Sequence, residues 1–354
     1  MSATPNNPPT NKLGSGISER DVLDAVLESG YPLQTTIGNL LRPQFHVQEE
    51  WSYIDGDSGE PRTIDILAEK WLYDFSPELR VHPTLDLIIE CKKSVLPYVF
   101  FLSLSKVSPA NFPLLAGLFH NEEIAVTSDD DPSTWNLPIL EALGLGSHPF
   151  KRDAESCMSF TQCMHEGAKA KLGGSEPFHK LVLPILKAMY HFQEVEAPHK
   201  AAMYFDLHLV LGIGVLDAPM VGVRVSANSH DVTLLPWVRV IRHKTEEIEG
   251  ASHWHPRTGV LLAIDVVHRD FFEDYLYKHL KPFAMKFSEL VIKHQEVLAS
   301  GKGFITDMGK DPWKDFEKRL EPRRVSKTVG RHASLMKLFL QFLAGKTDRK
   351  KDST

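Results

Sequence analysis

The apolar residues near the start of the chain recur first at helical spacing and then at strand spacing. Residues 18–30, SERDVLDAVLESG, carry a serine suited to cap a helix, apolar residues at i, i+4 spacing and a glycine suited to end it. FHVQEEWSYID (45–55) alternates apolar and polar residues, and RTIDILAEKWL (62–72) follows the turn cluster DGDSGEP as its partner. The two segments therefore predict a β-hairpin.

LDLIIECKK (85–93) is the third predicted strand. It is more continuously apolar than the hairpin strands, which is typical of a central strand covered on both faces. Residues 97–106 are another apolar run, which suits either a strand or a buried helix. The same criteria assign helices to 176–196, kinked at Pro184, and to 271–300, around Pro282; strands to 202–216 and 220–227, joined by DAP as a hairpin; and strands to 234–244 and 259–268.

These elements predict an α/β protein in which a mixed β-sheet is flanked by helices. No internal repeat or Gly/Ser-rich linker divides the body of the chain, so one elaborated domain over residues 17–300 is preferred to two. Residues 1–16 are rich in Pro, Asn, Gly and Ser and are expected to be disordered. Residues 301–354 are expected to form a basic C-terminal extension with an amphipathic helix near 331–344.

The charge of the chain is distributed unevenly. Residues 301–354 hold 14 Lys and Arg against 7 Asp and Glu, whereas the remainder holds 26 against 39, and the chain as a whole has a net charge of −6. A basic extension on an acidic body can attract phosphate groups. A solvated chain end is at least as good an interpretation of the last ten residues.

Composition excludes several classes of protein. Hydrophobic residues make up 42% of the chain and charged residues 24%, as in globular proteins, and no apolar stretch reaches the roughly 18 residues of a membrane helix. The N-terminus lacks the basic and apolar regions of a secretory signal. The odd number of cysteines (Cys91, Cys157 and Cys163) favours free thiols over a disulfide framework. The expected localisation is therefore the cytoplasm.

The end of the third strand carries the candidate chemistry. Glu90 and Lys92 are two residues apart, so their side chains project from one face of a strand while Cys91 points to the other. Asp65 lies within the apolar run of the preceding strand, where a carboxylate is costly to bury unless it is paired or binds a metal.

If the two strands are neighbours, Asp65 and Glu90 can share one divalent cation. The backbone carbonyl of Cys91 can add a third oxygen, and Mg²⁺ prefers oxygen ligands of this kind. Lys92 would then orient or help to deprotonate a water and offset phosphate charge. Without a metal, Glu90 and Lys92 form an ordinary ion pair at a solvated strand end.

The order of these segments resembles the PD-(D/E)xK nuclease superfamily: a helix bearing a glutamate, a strand containing I-D and a strand containing I-E-C-K. SERDVLDAVLESGYPLQ, RTIDILA and LIIECKKS look like its resolvase and Mrr-type restriction endonuclease branch. The resemblance covers residues 18–105. The sequence departs from the family in having Ile64 rather than proline before Asp65 and in an insertion at 71–84.

The resemblance implies a restriction-endonuclease-like core with a large C-terminal elaboration. It implies Mg²⁺- or Mn²⁺-dependent hydrolysis of phosphodiester bonds, with nucleic acid, and DNA in particular, as the partner. Asp65, Glu90 and Lys92 would be catalytic, and Asp65, Glu90 and the carbonyl of Cys91 would hold the metal. Glu19, in the first predicted helix, would complete the metal site, although an acidic residue is favoured at a helix start in any case.

Two alternatives stay open. One is a nuclease fold that has lost catalysis and binds nucleic acid or a protein partner. The other is a coincidental motif in an interaction protein of unrelated fold, in which Asp65 and Glu90 would lie far apart or on different faces. Elsewhere, Asp265 within an apolar strand suits either a second functional carboxylate or, as is more frequent, a hydrogen-bonded core acid. Gly212-Ile213-Gly214 lacks the third glycine of a dinucleotide-binding motif.

Overall fold

The computed structural model of the protein describes residues 6–74, 76–104, 109, 111–120, 122–129, 133–199, 202–227, 229–243, 261–306 and 315–323. In chain order, its elements are α1 (Glu19–Glu28), α2 (Tyr31–Leu41), β1 (His46–Ile54), β2 (Pro61–Trp71), β3 (Val81–Lys93), β4 (Tyr98–Leu102), β5 (Leu114–Ala116), β6 (Glu123–Ser128), β7 (Trp135–Pro138), α3 (Ile139–Ala142), α4 (Pro149–Arg152), β8 (Ser156–Glu166), β9 (Lys169–Leu172), α5 (Leu183–Val195), β10 (Phe205–Asp217), β11 (Met220–Val225), β12 (His230–Leu234), β13 (Trp237–His243), β14 (Leu261–His268), α6 (Phe272–Asp274), α7 (Lys281–Lys293), α8 (Gln295–Ser300), β15 (Lys302–Ile305), α9 (Phe316–Arg319) and β16 (Glu321–Pro322).

Two sheets organise the described part of the chain. The larger runs in the order β1-β2-β3-β10-β14-β13-β8-β4-β11-β12, with β5 paired to β10 and β9 to β8. The smaller runs in the order β16-β15-β6-β7. The larger sheet is mixed, since β2 and β3 are antiparallel while β3, β10 and β14 are parallel neighbours. The predicted mixed sheet is confirmed, and the apolar run after residue 97 is the strand β4.

The predicted hairpin between the two strands of residues 202–227 is wrong. β10 lies between β3 and β14 and is parallel to both, while β11 is parallel to β4 and antiparallel to β12. Backbone hydrogen bonds from Ser94 N to Asp217 O and from Tyr98 N to Pro219 O carry the β3–β10 pairing on into β4 and β11. The near-continuous apolar character of β10 reflects burial between two parallel strands rather than membership of a hairpin.

Helices cover both faces of the larger sheet, as predicted. On one face, Ile37 of α2 and Phe287 of α7 pack in a core cluster with Ile89 of β3. On the other face, Ile185 of α5 packs in a second cluster with Ile88. Successive residues of β3 therefore enter opposite cores, which accounts for the unbroken apolar run that marks this strand in the sequence.

The glycines of β10 allow α5 to approach the sheet closely. A Cβ added at Gly212 would lie 2.4 Å from Cγ2 of Ile185 in α5, and one added at Gly214 would lie 2.9 Å from Cδ1 of Leu181, in the π-helical segment Phe178–Val182 that leads into α5. The sequence Gly212-Ile213-Gly214 is therefore explained by helix packing.

Helix α1 begins as predicted but is not the helix that packs on the motif strands. Ser18 caps it, accepting a hydrogen bond from Asp21 N, while the Asp21 carboxylate accepts one from Ser18 N at 2.8 Å. None of its residues is buried. Of the two N-terminal helices, it is α2 that packs on the sheet; it buries Leu33, Ile37 and Leu41, and the sequence pattern did not reveal it.

Three further expectations lie partly or wholly outside the described residues. The helix expected near 331–344 is outside them, as is most of the basic extension and the start of the segment 1–16. Residues 6–16 form neither helix nor strand. Within the described ranges, no helix is long and apolar enough to cross a membrane.

Candidate active site

The candidate site lies where the pairing of β2 with β3 ends. The antiparallel ladder closes with the pair Ile66–Ile89, so Asp65 is the next residue of β2 and Glu90 the next of β3. One oxygen of the Asp65 carboxylate, Oδ2, accepts a hydrogen bond of 2.6 Å from the backbone N–H of Cys91. The side chain of Asp65 thus takes the place of a backbone partner and is held beside the E-x-K segment.

A change of face in the β1–β2 hairpin places Asp65 at this position. Glu50 has a φ of +51°, in the left-handed region, and the register contains Glu49–Ile66 and Trp51–Ile64 but no pair of Glu50 with Asp65. Ile66 packs in the same core cluster as α2, whereas Ile64, two residues earlier, packs in the cluster of α5. A non-glycine residue in this region is strained, and such strain concentrates at functional sites.

Glu90 is buried and strongly coupled to its neighbours. Lys92 Nζ donates a hydrogen bond to Oε1 of Glu90, whereas Oε2 is buried and has no hydrogen-bond partner. The backbone N–H of Asp65 also lies near this carboxylate and lowers the pKa of Glu90. Burial, together with the charge of Asp65, raises the pKa of Glu90 to about 7, against the opposing charge of Lys92.

Asp65 has a perturbed pKa for the same principal reason. Burial raises its pKa, while the hydrogen bond from the Cys91 amide and the charge of Lys92 lower it, and the charge of Glu50 raises it further. Two adjacent carboxylates with raised pKa values, one of them with an unpaired oxygen, favour a positively charged ligand.

Helix α2 contributes a residue that sequence reasoning missed. Gln34 is buried, and its Nε2 donates hydrogen bonds to Oε1 of Glu50 at 2.9 Å and to the backbone oxygen of Asp65 at 3.1 Å. Gln34 thereby links Glu50, whose φ is positive, to the backbone of Asp65. The signal that could have found it is the i, i+4 spacing of Leu33 and Ile37 after a proline at the first helical turn.

The structure does not bring Glu19 to Asp65 and Glu90. Glu19 is an exposed residue of the first turn of α1, beside Leu13 and Ile17. The contact of α1 with the end of β3 is at the opposite end of the helix, where Lys93 Nζ donates to the backbone oxygen of Leu27. Eight residues of helix separate the two positions by about 12 Å.

The oxygens at the strand end fit a hard divalent cation with few protein ligands. No group of three or more His, Cys, Asp and Glu side chains in the described ranges is arranged to hold a metal. Asp65 and Oε2 of Glu90 supply two carboxylate positions. The carbonyl of Cys91 faces the same edge of β3 as its N–H, which bonds Asp65, so it is available as a third oxygen. Mg²⁺ is commonly held by one or two carboxylates and several waters.

A charged cluster borders the site on the hairpin side. Asp55 is fully buried, and its Oδ1 and Oδ2 accept hydrogen bonds of 2.7 and 2.8 Å from Lys187 Nζ, while Arg62 Nε lies 2.6 Å from Oδ2. The hydrogen bond from Lys187 lowers the pKa of Asp55 to about 2. Burial raises the pKa of Tyr53, and the charges of both this cluster and Glu90 act on it. Arg62 is thus paired with Asp55.

Asp265 has the structural role expected of it. It is fully buried and receives two hydrogen bonds from Arg239, at 2.8 and 3.0 Å, and one from the hydroxyl of Tyr275 at 2.9 Å. It lies on β14 and all its close polar partners belong to the core. The prediction of a hydrogen-bonded core acid is confirmed.

Comparison with protein-family models, with curated proteins and with solved structures finds no match to this chain.

Replacing Gln34 by leucine is expected to lower the free energy of unfolding by about 1–3 kcal/mol, because Glu50 and the Asp65 carbonyl would lose a buried donor. Urea unfolding measures the change. Gln48→Leu is the matched control, since Gln48 is exposed and its hydrogen bond to Glu69 is 3.2 Å long; it is expected to change stability by less than about 0.5 kcal/mol. Equal effects of the two substitutions would contradict the assigned role.

Glu90 is expected to make the metal-free protein less stable as the pH rises. Between the ordinary pKa of 4.5 and the folded pKa of about 7, the folded protein keeps a proton that the unfolded chain has released. The stabilising contribution is therefore complete below the unfolded pKa and is lost as the pH rises through the folded pKa.

Glu90→Gln, which imitates the neutral acid, is expected to exceed the wild type in stability by about 2 kcal/mol near pH 8 and to match it near pH 4. Urea unfolding at the two pH values tests this. The pKa of Glu122 is also raised to about 7, so only the difference between variant and wild type isolates Glu90. A variant less stable than the wild type near pH 8 would refute the shift.

Proposed function

We propose that this protein is a Mg²⁺-dependent nuclease that hydrolyses phosphodiester bonds of DNA. The observation that carries the proposal is the meeting of Asp65, Glu90 and Lys92 at one strand end, with a buried Glu90 oxygen left without a partner. The D…E-x-K arrangement agrees with the resemblance to the PD-(D/E)xK nucleases. In this proposal, β1, β2 and β3 with α2 form the restriction-endonuclease-like core.

The roles follow from the positions of the groups. Asp65, Oε2 of Glu90 and the Cys91 carbonyl would hold Mg²⁺ or Mn²⁺, which would supply Lewis-acid stabilisation of the phosphate. Lys92, bonded to Glu90 and about one-third exposed, is placed to orient an attacking water and to offset charge on the phosphate. Gln34, by holding Glu50 and the Asp65 backbone, positions the acid without contacting substrate.

Two further parts of the proposal concern the role of Glu19 and the cellular compartment. Since Glu19 is remote from the strand end, the proposal assigns the metal to Asp65, Glu90 and Cys91 and to waters. The cysteines are free, with Cys91 and Cys157 buried, which suits the reducing cytoplasm that we propose as the compartment.

Metal binding tests the proposal without requiring the right substrate. Calorimetric titration of the purified protein with Mn²⁺ is expected to show one saturable site. Glu90→Gln is expected to lower the Mn²⁺ affinity of this site at least about tenfold. Glu69→Gln is the control, since Glu69 is a partly buried acid on β2 away from the strand end. Equal Mn²⁺ affinities for the wild type and Glu90→Gln would contradict the assigned site.

The second candidate is a nuclease fold that binds DNA or a protein partner without catalysis. The absence of a three-residue ligand group among the described residues, and the engagement of Glu90 by Lys92, favour it. It predicts DNA binding that is unchanged by EDTA and no cleavage in Mg²⁺ or Mn²⁺. DNA binding that strengthens with Mn²⁺ and is followed by strand cleavage would exclude it.

A further inference from the structure

Two arginines on β13 have opposite environments. Arg239 is buried, bonds both oxygens of Asp265 and donates to the backbone oxygens of Phe150 and Lys151. Arg242, three residues later, has a buried Nε without a hydrogen-bond partner and no carboxylate partner in the described part of the chain. Because Asp and Glu outnumber Lys and Arg in this chain, 46 to 40, an arginine without a carboxylate is notable.

Arg242 borders a cavity of about 390 Å³ that opens to solvent. The lining residues that could contact a ligand or shape the site include Phe101, Ser159, Thr161, Gly174, Ser175 and Phe178. Arg242 is the one charged group among the residues that line the cavity. Its guanidinium lies 4.3 Å from the centre of the Phe178 ring. Stacking of this kind holds the fork of the guanidinium in place and leaves the N–H groups at its edge available.

The lining contains hydroxyl groups and no carboxylate. Ser159 and Ser175 supply hydroxyls. A Cβ added at Gly174 would meet nothing within 4 Å, so a ligand can approach the backbone there closely. Thr161 is already used, since its hydroxyl donates to the backbone oxygen of Gly173 at 2.8 Å and thereby fixes the glycine segment.

Physical chemistry favours an anion in this cavity. A charge that is partly removed from water is costly unless it is paired, and burial lowers the pKa of Arg242 accordingly. Arg239 shows how the same strand satisfies an arginine when the counter-charge belongs to the protein. At Arg242 no carboxylate among the described residues supplies the counter-charge, while hydroxyl donors and an open volume are present.

We propose that this cavity is a binding site for a phosphomonoester with an aromatic or other apolar body. The guanidinium of Arg242 and the hydroxyls of Ser159 and Ser175 would bind the phosphate oxygens. Together they offer more hydrogen-bond donors than the two oxygens of a carboxylate ligand would need, which favours a phosphate. Phe101 and Phe178 would contact the apolar body. The site does not include Asp65, Glu90 or Lys92, so it stands or falls independently of the proposed nuclease activity.

Binding of phenyl phosphate, inorganic phosphate and benzoate by calorimetry tests the site. The wild type is expected to bind phenyl phosphate saturably at one site, and more tightly than either of the other two. Arg242→Gln is expected to weaken this binding at least about tenfold, and Arg242→Lys by less, because it keeps the charge but not the fork. Lys278→Gln, which removes a positive charge from an exposed ion pair of residues 274 and 278, is expected to bind like the wild type.

A second variant tests the site in case Arg242→Gln does not fold. Ser159→Asp places a negative charge on an exposed residue of the cavity and is expected to abolish phenyl phosphate binding while leaving the melting temperature unchanged. The proposal is overturned if the wild type binds none of the three probes, if benzoate binds as tightly as phenyl phosphate, or if folded Arg242→Gln and Ser159→Asp bind phenyl phosphate like the wild type.

Discussion

Asp65→Asn is expected to reduce the rate of metal-dependent DNA cleavage at least about a thousandfold, equivalent to about 4 kcal/mol of transition-state stabilisation. The substitution removes the negative charge that would face the metal. It keeps an oxygen that can accept the hydrogen bond from the Cys91 amide, so the strand end is expected to retain its geometry. The measurement is the single-turnover cleavage rate in Mg²⁺, with circular dichroism as a check of folding.

Asp57→Asn is the matched control for this substitution. Asp57 is an exposed carboxylate beside Lys187 near the hairpin end, and it is not part of the group formed by Asp65, Glu90 and Lys92. It is expected to leave the cleavage rate within about twofold of the wild type. Loss of activity in both variants would point to general electrostatics, and full activity in Asp65→Asn would remove Asp65 from the proposed site.

Arg239→Met is expected to lower the free energy of unfolding by about 3–5 kcal/mol. It would leave Asp265 as an uncompensated buried carboxylate and would deprive the backbone oxygens of Phe150 and Lys151 of their donor. It also removes the guanidinium stacked 3.8 Å from the centre of the Phe112 ring. Urea unfolding, with the midpoint and the slope both fitted, measures the loss.

An exposed arginine–aspartate pair provides the control. Arg269 lies 3.0 Å from Asp217, but about half of its side chain is exposed, so Arg269→Met is expected to cost less than about 1 kcal/mol. The comparison separates a buried ion pair from a solvated one. Losses of similar size in the two variants would contradict the structural role given to the buried pair.

Local patterns predicted the motif strands correctly because the information is short-range. The alternation in residues 45–55, the turn cluster after it and the apolar run ending in Glu90 are each properties of a few neighbouring residues. Together they predicted the neighbouring strands that bring Asp65 to Glu90. The capping of α1 by Ser18 was predictable for the same reason.

Long-range pairing was not predictable in this way. β10 and β11 were paired in sequence order because a turn joins them, whereas their partners are β3, β14 and β4, from distant parts of the chain. The burial of Asp265 in a core network was expected, but its partner Arg239 lies 26 residues away and could not be named.

The helix at the site was missed for a third reason. α2 contains Pro32, two threonines and Gly38, residues with weak helical preference, and its stability comes from packing on the sheet. Because the helix itself was not predicted, the position of Gln34 beside Asp65 could not be predicted either. The left-handed conformation of Glu50 was equally hidden, since nothing in the identity of a glutamate predicts a positive φ.

Cleavage of labelled DNA by the purified protein tests the central claim most directly. Supercoiled, linear and single-stranded DNA and an RNA of matched length are incubated with the wild type or Lys92→Ala, in Mg²⁺, Mn²⁺ or EDTA. We expect the wild type to cleave at least one DNA in Mg²⁺ or Mn²⁺ and not in EDTA, and Lys92→Ala to be inactive though folded. No cleavage by the wild type under any condition, or equal cleavage by Lys92→Ala, would contradict the proposed nuclease site.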